Sequence, residues 1–195
     1  KVLYLILITS LLLAACSASS TAQSQAVELP SSPTATATVS ATTTAFVLTS
    51  PDIDASGRLP TEYTCDGASS TLALAWSGAP AGAQSYAVTM HHIASPTDIH
   101  WHWEAYDIPA RATSLPKNMT GIGKLGNNSV NGQLAYTPPC SKGPGDKTYT
   151  YTVYALSAQP QLSVPASKVD RATLLAAIKD ITLASAELSV VYARK

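Results

Sequence analysis

The chain has 195 residues, and 12 Lys and Arg balance 12 Asp and Glu, so its formal net charge is zero. A nucleic-acid-binding protein needs a basic face to neutralise phosphates, and this charge balance excludes that class. With 13 Pro, 10 Gly and a single Phe, the composition also excludes a coiled coil or a helical bundle.

An apolar segment opens the chain, with Lys1 before a run that ends at Ala15. The run is shorter than the roughly 20 residues of a membrane-spanning helix. A basic start, a short apolar run and small residues at its end indicate a secretory signal peptide over residues 1–15. The letters LAAC at 13–16 resemble a bacterial lipobox, which predicts cleavage before Cys16 and acylation of that cysteine.

Residues 16–45 follow as a low-complexity segment, rich in Ser, Thr and Ala, in which Glu28 is the only charge. It has no apolar face that could offset chain entropy, so a disordered tether behind the lipidated cysteine is expected. The protein is therefore predicted to be an exported lipoprotein that contacts the membrane only through its lipid anchor. Because Ser17 is not Asp, an outer-membrane, periplasm-facing position is expected in a Gram-negative host, and the cell surface otherwise.

Residues 46–195 are expected to form one domain of short β-strands. Segments that alternate with a period of two, or are rich in β-branched and aromatic residues, begin near Phe46, Thr71, Tyr86, Thr148 and Leu188. A further strand is expected over 100–107. In that strand strict alternation would place His100 and His102 on one face and Trp101 and Trp103 on the other.

One late segment has helical periodicity instead. Asp170 stands as an N-cap before Leu174, Ala177, Ile178 and Ile181, which recur at helical spacing. Many strands with one or two short, late helices predict a mainly β fold, an antiparallel β-sandwich.

Three cysteines occur in the chain, and the lipid takes Cys16. An even pair in an exported domain favours a disulfide between Cys65 and Cys140. Two buried free thiols are the alternative.

All four histidines lie between His91 and His102. His92, His100 and His102 could bind Zn or Cu. His102 could instead line a polar ligand pocket, or the histidines could be purely structural.

Several motifs, in order, resemble those of one known family. The sequence HWEAYDIP at 102–109 is similar to its HW-x-x-YNIP strand, YTCDG at 63–67 is the same as its own, and LAWSGAP at 74–80 is similar to LSW-x-x-x-P. Downstream, YTPPC at 136–140 is similar to Y-x-GPCPP, with Tyr149 and YAL at 154–156 following. The chain thus resembles the phosphatidylethanolamine-binding proteins, in their bacterial Raf-kinase-inhibitor-like branch. The resemblance implies a β-sandwich with a small anion-binding pocket.

The resemblance assigns ligand binding to five positions, namely His92, His102, Pro139, Lys147 and Tyr149. The family's DPDAP motif is HIASP at 92–96 here, so both acidic residues are missing, and Lys147 replaces the histidine of its HRY motif. These changes make the pocket more positive. We therefore expect a small anionic ligand that bears phosphate or carboxylate, such as a phospholipid headgroup, held by charge-assisted hydrogen bonds.

Two alternatives remain open from the sequence. One is a metal-binding protein or metal-dependent enzyme that uses the histidine cluster, and the other is a module that binds and inhibits another protein. The expected anion-binding protein has no catalytic residues and no cofactor, because the sequence contains no nucleophile elbow or phosphate-binding loop.

Overall fold

The computed structural model describes residues 44–194. Its strands are β1 (Val47–Thr49), β2 (Leu74–Ser77), β3 (Ser85–Ser95), β4 (Asp98–Pro109), β5 (Ser114–Leu115), β6 (Lys124–Leu125), β7 (Lys147–Leu156) and β8 (Thr182–Tyr192). One α-helix, α1 (Arg171–Ile178), and two 3₁₀ turns, Thr61–Tyr63 and Ala166–Lys168, complete the fold. Residues 1–43, on which the signal peptide, the lipidated Cys16 and most of the tether were predicted, lie outside the described residues.

Two antiparallel sheets form the fold, as the strand patterns predicted. The small sheet has the order β1-β2-β5, and the large sheet has the order β6-β4-β3-β7-β8. Buried side chains from both sheets, among them Leu74, Trp76, Met90, Trp103 and Tyr151, form one core. The mainly β fold class is confirmed.

Helix α1 covers part of the opposite face of the large sheet. Asp170 caps it, since its Oδ1 accepts a hydrogen bond of 2.9 Å from the backbone N–H of Thr173. Leu174 and Ile178 pack on Ala87 and Tyr106 in a second cluster. The large sheet is therefore buried over part of both faces. Among the described residues, no helix has the length and apolar composition needed to cross a bilayer.

A β-bulge in β4 reverses one expectation from the sequence. Met90 pairs with Trp103, but the next residue, His91, pairs with Trp101, so β4 has one extra residue here. Trp103 enters the core between the sheets, whereas the Trp101 ring stacks on His91, with a centroid distance of 4.9 Å. The prediction that the two tryptophans share a face was wrong, because the bulge breaks the alternation.

Candidate functional site

A pocket opens where two central strands diverge. The pairing of β3 with β7 ends at His91 and Thr150. Beyond that point β3 continues beside β4, and β7 pairs with β8 as far as Lys147. The gap between the two ribbons forms a cavity of about 770 Å³.

Side chains from β3, β4, β7 and the segment 138–146 line this cavity, which we call the cationic pocket. They include His92, His100, His102, Pro138, Cys140, Ser141, Lys142, Asp146, Lys147 and Tyr149. Four of the five predicted ligand residues therefore meet in one place. Pro139 is the exception, since it is not part of the lining and its carbonyl accepts a hydrogen bond of 3.0 Å from Cys65 N–H.

The Tyr149 ring lies between two histidines at the base of the pocket. Its centroid is 5.0 Å from the His92 ring and 5.3 Å from the His102 ring. His92 Nδ1 lies 2.8 Å from the Thr148 carbonyl, and His102 Nδ1 lies 2.9 Å from the Thr137 carbonyl. A carbonyl only accepts, so each Nδ1 carries the proton, and in the neutral ring each Nε2 is left as an acceptor.

Burial determines the protonation of this group. It lowers the pKa of His102 from 6.5 to about 4, and the hydrogen bond to Thr137 offsets only part of that effect. Burial also raises the pKa of Tyr149. At neutral pH His102 is therefore an uncharged acceptor through Nε2, and the Tyr149 hydroxyl remains protonated and able to donate.

The positive charge of the pocket comes from lysines. Lys142 and Lys147 both line it, and within residues 44–194 neither forms an ion pair. The one lining carboxylate, Asp146, is held by the Arg58 guanidinium through contacts of 3.1–3.2 Å. Because Arg58 compensates Asp146, the two lysine charges are left for an incoming anion.

A disulfide anchors one wall of the pocket. It joins Cys65 to Cys140, which are 75 positions apart. Cys140 lines the pocket, so the bond ties the segment 138–146 to the turn that follows Tyr63. The Tyr136 hydroxyl donates to the Tyr63 carbonyl at 3.1 Å and adds a second link.

The histidines do not form a metal-binding group. His100 Nε2 contacts Asp98 at 3.0 Å on the exposed hairpin, and its ring centroid is 6.3 Å from that of His92. Over residues 44–194, no group of three or more His, Cys, Asp or Glu side chains has the geometry to hold a metal ion. The structure thus gives the metal-binding alternative no support.

Lys142 and Ser141 are among the lining residues that the sequence did not predict. Lys142 and Ser141 lie in a Pro- and Gly-containing segment without periodicity, so no pattern placed them. The Ser141 hydroxyl is buried, and its hydrogen bond with the Tyr149 hydroxyl opposes the rise in the Tyr149 pKa.

The fold and pocket define a class of protein, an antiparallel β-sandwich with a cationic ligand pocket at the end of its central strands. The profile of the phosphatidylethanolamine-binding protein family matches residues 49–193. The chain belongs to the phosphatidylethanolamine-binding protein family.

Curated relatives and solved structures agree with this assignment. A UPF0098 protein of Methanothermobacter thermautotrophicus is 34% identical over 143 residues, which cover 71% of this chain and 92% of the relative. The UPF0098 protein YbcL of Escherichia coli is 31% identical over 173 residues, covering 80% and 91%. The crystal structure of YbcL, described as a member of the mammalian family, superposes with a TM-score of 0.68 at 28% identity, covering 77% of this chain and 99% of that one. A Chlamydia trachomatis homologue, CT736, shares the fold with a TM-score of 0.70 at 24% identity and the same coverage.

Proposed function

We propose that this protein is a lipid-anchored binding protein of the cell envelope, whose cationic pocket holds a small molecule with a phosphate monoester or carboxylic acid group. The observation that carries the proposal is the pair of lysines, Lys142 and Lys147, which line the pocket with His102 and Tyr149 and have no carboxylate partner within residues 44–194. The proposal includes no catalytic step and no cofactor.

The neutral state of His102 selects among anions. Its Nδ1 donates to Thr137, so Nε2 can only accept a hydrogen bond. A singly protonated phosphate monoester has a P–OH that donates to Nε2, while its other oxygens accept from Lys147 and the Tyr149 hydroxyl. A phosphodiester, as in a phospholipid headgroup, has no P–OH and would leave Nε2 without a partner. We therefore favour a monoester ligand over a diester.

Methyl phosphate and dimethyl phosphate test this selection. Calorimetric titration of the purified full chain near pH 6 should give saturable binding of methyl phosphate and markedly weaker binding of dimethyl phosphate. Lys147→Gln should weaken methyl phosphate binding by about 10–100-fold, because a charge-assisted hydrogen bond is lost.

Lys179→Gln serves as the matched control. Lys179 is exposed at the end of α1, outside the pocket lining, so the variant removes the same charge elsewhere. Its affinity for methyl phosphate should equal that of the unchanged protein. If both variants lost affinity for methyl phosphate equally, the effect would come from the overall charge of the protein and not from Lys147. Equal binding of the monoester and the diester would contradict the role given to His102.

The membrane anchor is a separate part of the proposal. It rests on the sequence LAAC at 13–16 and the small-residue segment that follows. Several acyl chains on one cysteine hold a protein stably at a membrane, whereas one chain binds it marginally. Cys16→Ser should abolish labelling by radioactive palmitate and release the protein from the membrane fraction. A variant that remains labelled would contradict acylation at this position.

A further inference from the structure

A second cavity, of about 590 Å³, lies on the other face of the large sheet, beside the start of α1. Its walls include Pro96, Ile99, Trp101, Glu104, Asn127 and Arg171. We call it the Glu104 cavity. It shares no lining residue with the cationic pocket.

Glu104 is the unusual residue in this cavity. It is only 1% exposed, and neither carboxyl oxygen has a hydrogen-bond partner within the part of the chain that the structure describes. A buried carboxyl without partners is costly, so such a group usually marks a missing partner. Asn127 Oδ1 and Arg171 Nε, in the same cavity, are also buried and have no hydrogen-bond partner among the residues that the structure describes.

Among the described residues, the charges that line the cavity leave the negative charge of an ionised Glu104 without a counterpart. Asp170 and Arg171, adjacent at the start of α1, carry opposite charges that compensate each other in the cavity. The Arg171 guanidinium lies over the Trp101 ring, 4.0 Å from its centroid, and forms no ion pair with Glu104. An ionised Glu104 would therefore be balanced by one monovalent cation.

The walls indicate what kind of cation fits. The unpartnered oxygens of Glu104 and Asn127 offer several acceptors, which suits a group with several N–H donors. Apolar surface from Pro96, Ile99 and Trp101 faces the same volume, which suits a hydrocarbon chain. A bare metal ion fits the cavity poorly, because the walls are partly apolar and the described residues supply no group of three ligating side chains.

We propose that the Glu104 cavity is a binding site for a primary alkylammonium group, with the ammonium donating to Glu104 and Asn127 and the alkyl chain packing on Pro96 and Ile99. The site is independent of the cationic pocket and of the function proposed for it.

Proton release should accompany binding. Burial, reinforced by the charge of Asp170 and opposed by Arg171, raises the pKa of Glu104 to about 8. The nearby ring of His91, stacked on Trp101, has a pKa that burial lowers, so it adds no charge at neutral pH. The ammonium enters already protonated and favours the carboxylate. At pH 7 the Glu104 proton therefore passes to the buffer, approaching one proton for each molecule bound.

Calorimetry of the purified full chain with propylammonium chloride tests the site. At pH 7, titrations in two buffers of different ionisation enthalpy should give saturable binding with proton release. Glu104→Gln keeps the shape of the side chain and removes the charge, so it should weaken binding by at least about tenfold and abolish proton release.

Glu187→Gln is the matched control, since Glu187 lies on the same face of the sheet, is exposed and is outside the cavity lining. It should bind propylammonium as the unchanged protein does. Potassium chloride at equal ionic strength should give no heat of binding. The proposal is overturned if propylammonium does not bind, if Glu104→Gln binds it equally well, or if tetramethylammonium, which has no N–H donors, binds as tightly.

Discussion

The cationic pocket and the Glu104 cavity lie on opposite faces of the same strand, and their character is opposite. His102 and Glu104 are two residues apart in β4, a spacing that normally places side chains on one face. The bulge opposite Met90 and His91 separates them. One extra residue in the strand therefore places the lysine-lined pocket and the cavity that holds Glu104 on opposite faces of the sheet.

Burial acts on the two groups in opposite pH directions, because it favours the uncharged form of each. It lowers the pKa of His102 and raises that of Glu104. The folded protein should therefore lose stability in acid through His102 and in alkali through Glu104.

Glu104 should dominate the alkaline side. Its pKa rises from 4.5 to about 8 on folding, so the folded state binds the proton more tightly than the unfolded state. The stabilising contribution of protonated Glu104 is fully present below pH 4.5 and is lost as the pH rises to about 8, on the order of 5 kcal/mol in total. Between pH 5 and pH 8.5, urea unfolding should show the stability of Glu187→Gln falling by about 4 kcal/mol relative to that of Glu104→Gln, because His102 titrates alike in both variants. A difference between the two variants that does not change with pH would assign the alkaline loss to another group.

The disulfide should stabilise the domain and the cationic pocket together. Its cysteines are 75 positions apart, for which the loop-entropy estimate is about 4 kcal/mol. Replacing Cys65 and Cys140 by Ala together should lower the free energy of unfolding by about that amount. Where the double variant still folds, methyl phosphate affinity should fall and propylammonium affinity should stay, since only the first site is lined by Cys140. Equal losses at both sites would show that the two are coupled.

His102 should dominate the acid side. Its pKa falls from 6.5 to about 4 on folding, so the unfolded state binds the proton more tightly. The stabilising contribution of neutral His102 is fully present above pH 6.5 and is lost as the pH falls to about 4, a loss of about 3 kcal/mol. Unfolding measured at pH 7 and pH 4.5 in the Glu104→Gln background, which removes the opposing contribution of Glu104, should show most of this loss, and adding His102→Gln should remove it. His100→Gln, on the exposed hairpin, should leave the loss unchanged.

Removing the helix cap should have the smallest effect. Asp170→Ala deletes the hydrogen bond to Thr173 and should cost about 1 kcal/mol of stability. Since the Asp170 charge also raises the pKa of Glu104, the variant should lower that pKa. Carboxyl NMR titration of both proteins would measure the shift, and an unchanged pKa would mean that burial alone sets it.

Much of the fold was predictable because it depends on local patterns. The long strands β3, β7 and β8 and the helix after Asp170 follow from two-residue alternation, β-branched composition and one capping residue. The strands β5 and β6 have only two residues each, which is too short for an alternating pattern to be recognised in the sequence. The early 3₁₀ turn at Thr61–Tyr63 was missed for the same reason.

The site was predictable only where strands supply it. His92, His102, Lys147 and Tyr149 converge because their strands are neighbours in the sheet. Lys142 was missed because the loop that carries it is placed by Cys140 and Asp146 rather than by a period. Glu104 was missed because simple alternation groups it with His102, and only the paired register reveals the bulge.

Imidazole ¹⁵N NMR of the full chain, titrated with methyl phosphate near pH 6, tests the central claim most directly. Before addition, His102 should show a neutral ring with the proton on Nδ1. On addition, its Nε2 signal should shift as it accepts a hydrogen bond, while the Trp101 indole signal should stay in place. An imidazolium signal for His102 before addition, or a His102 ring that does not respond at saturation, would contradict the account.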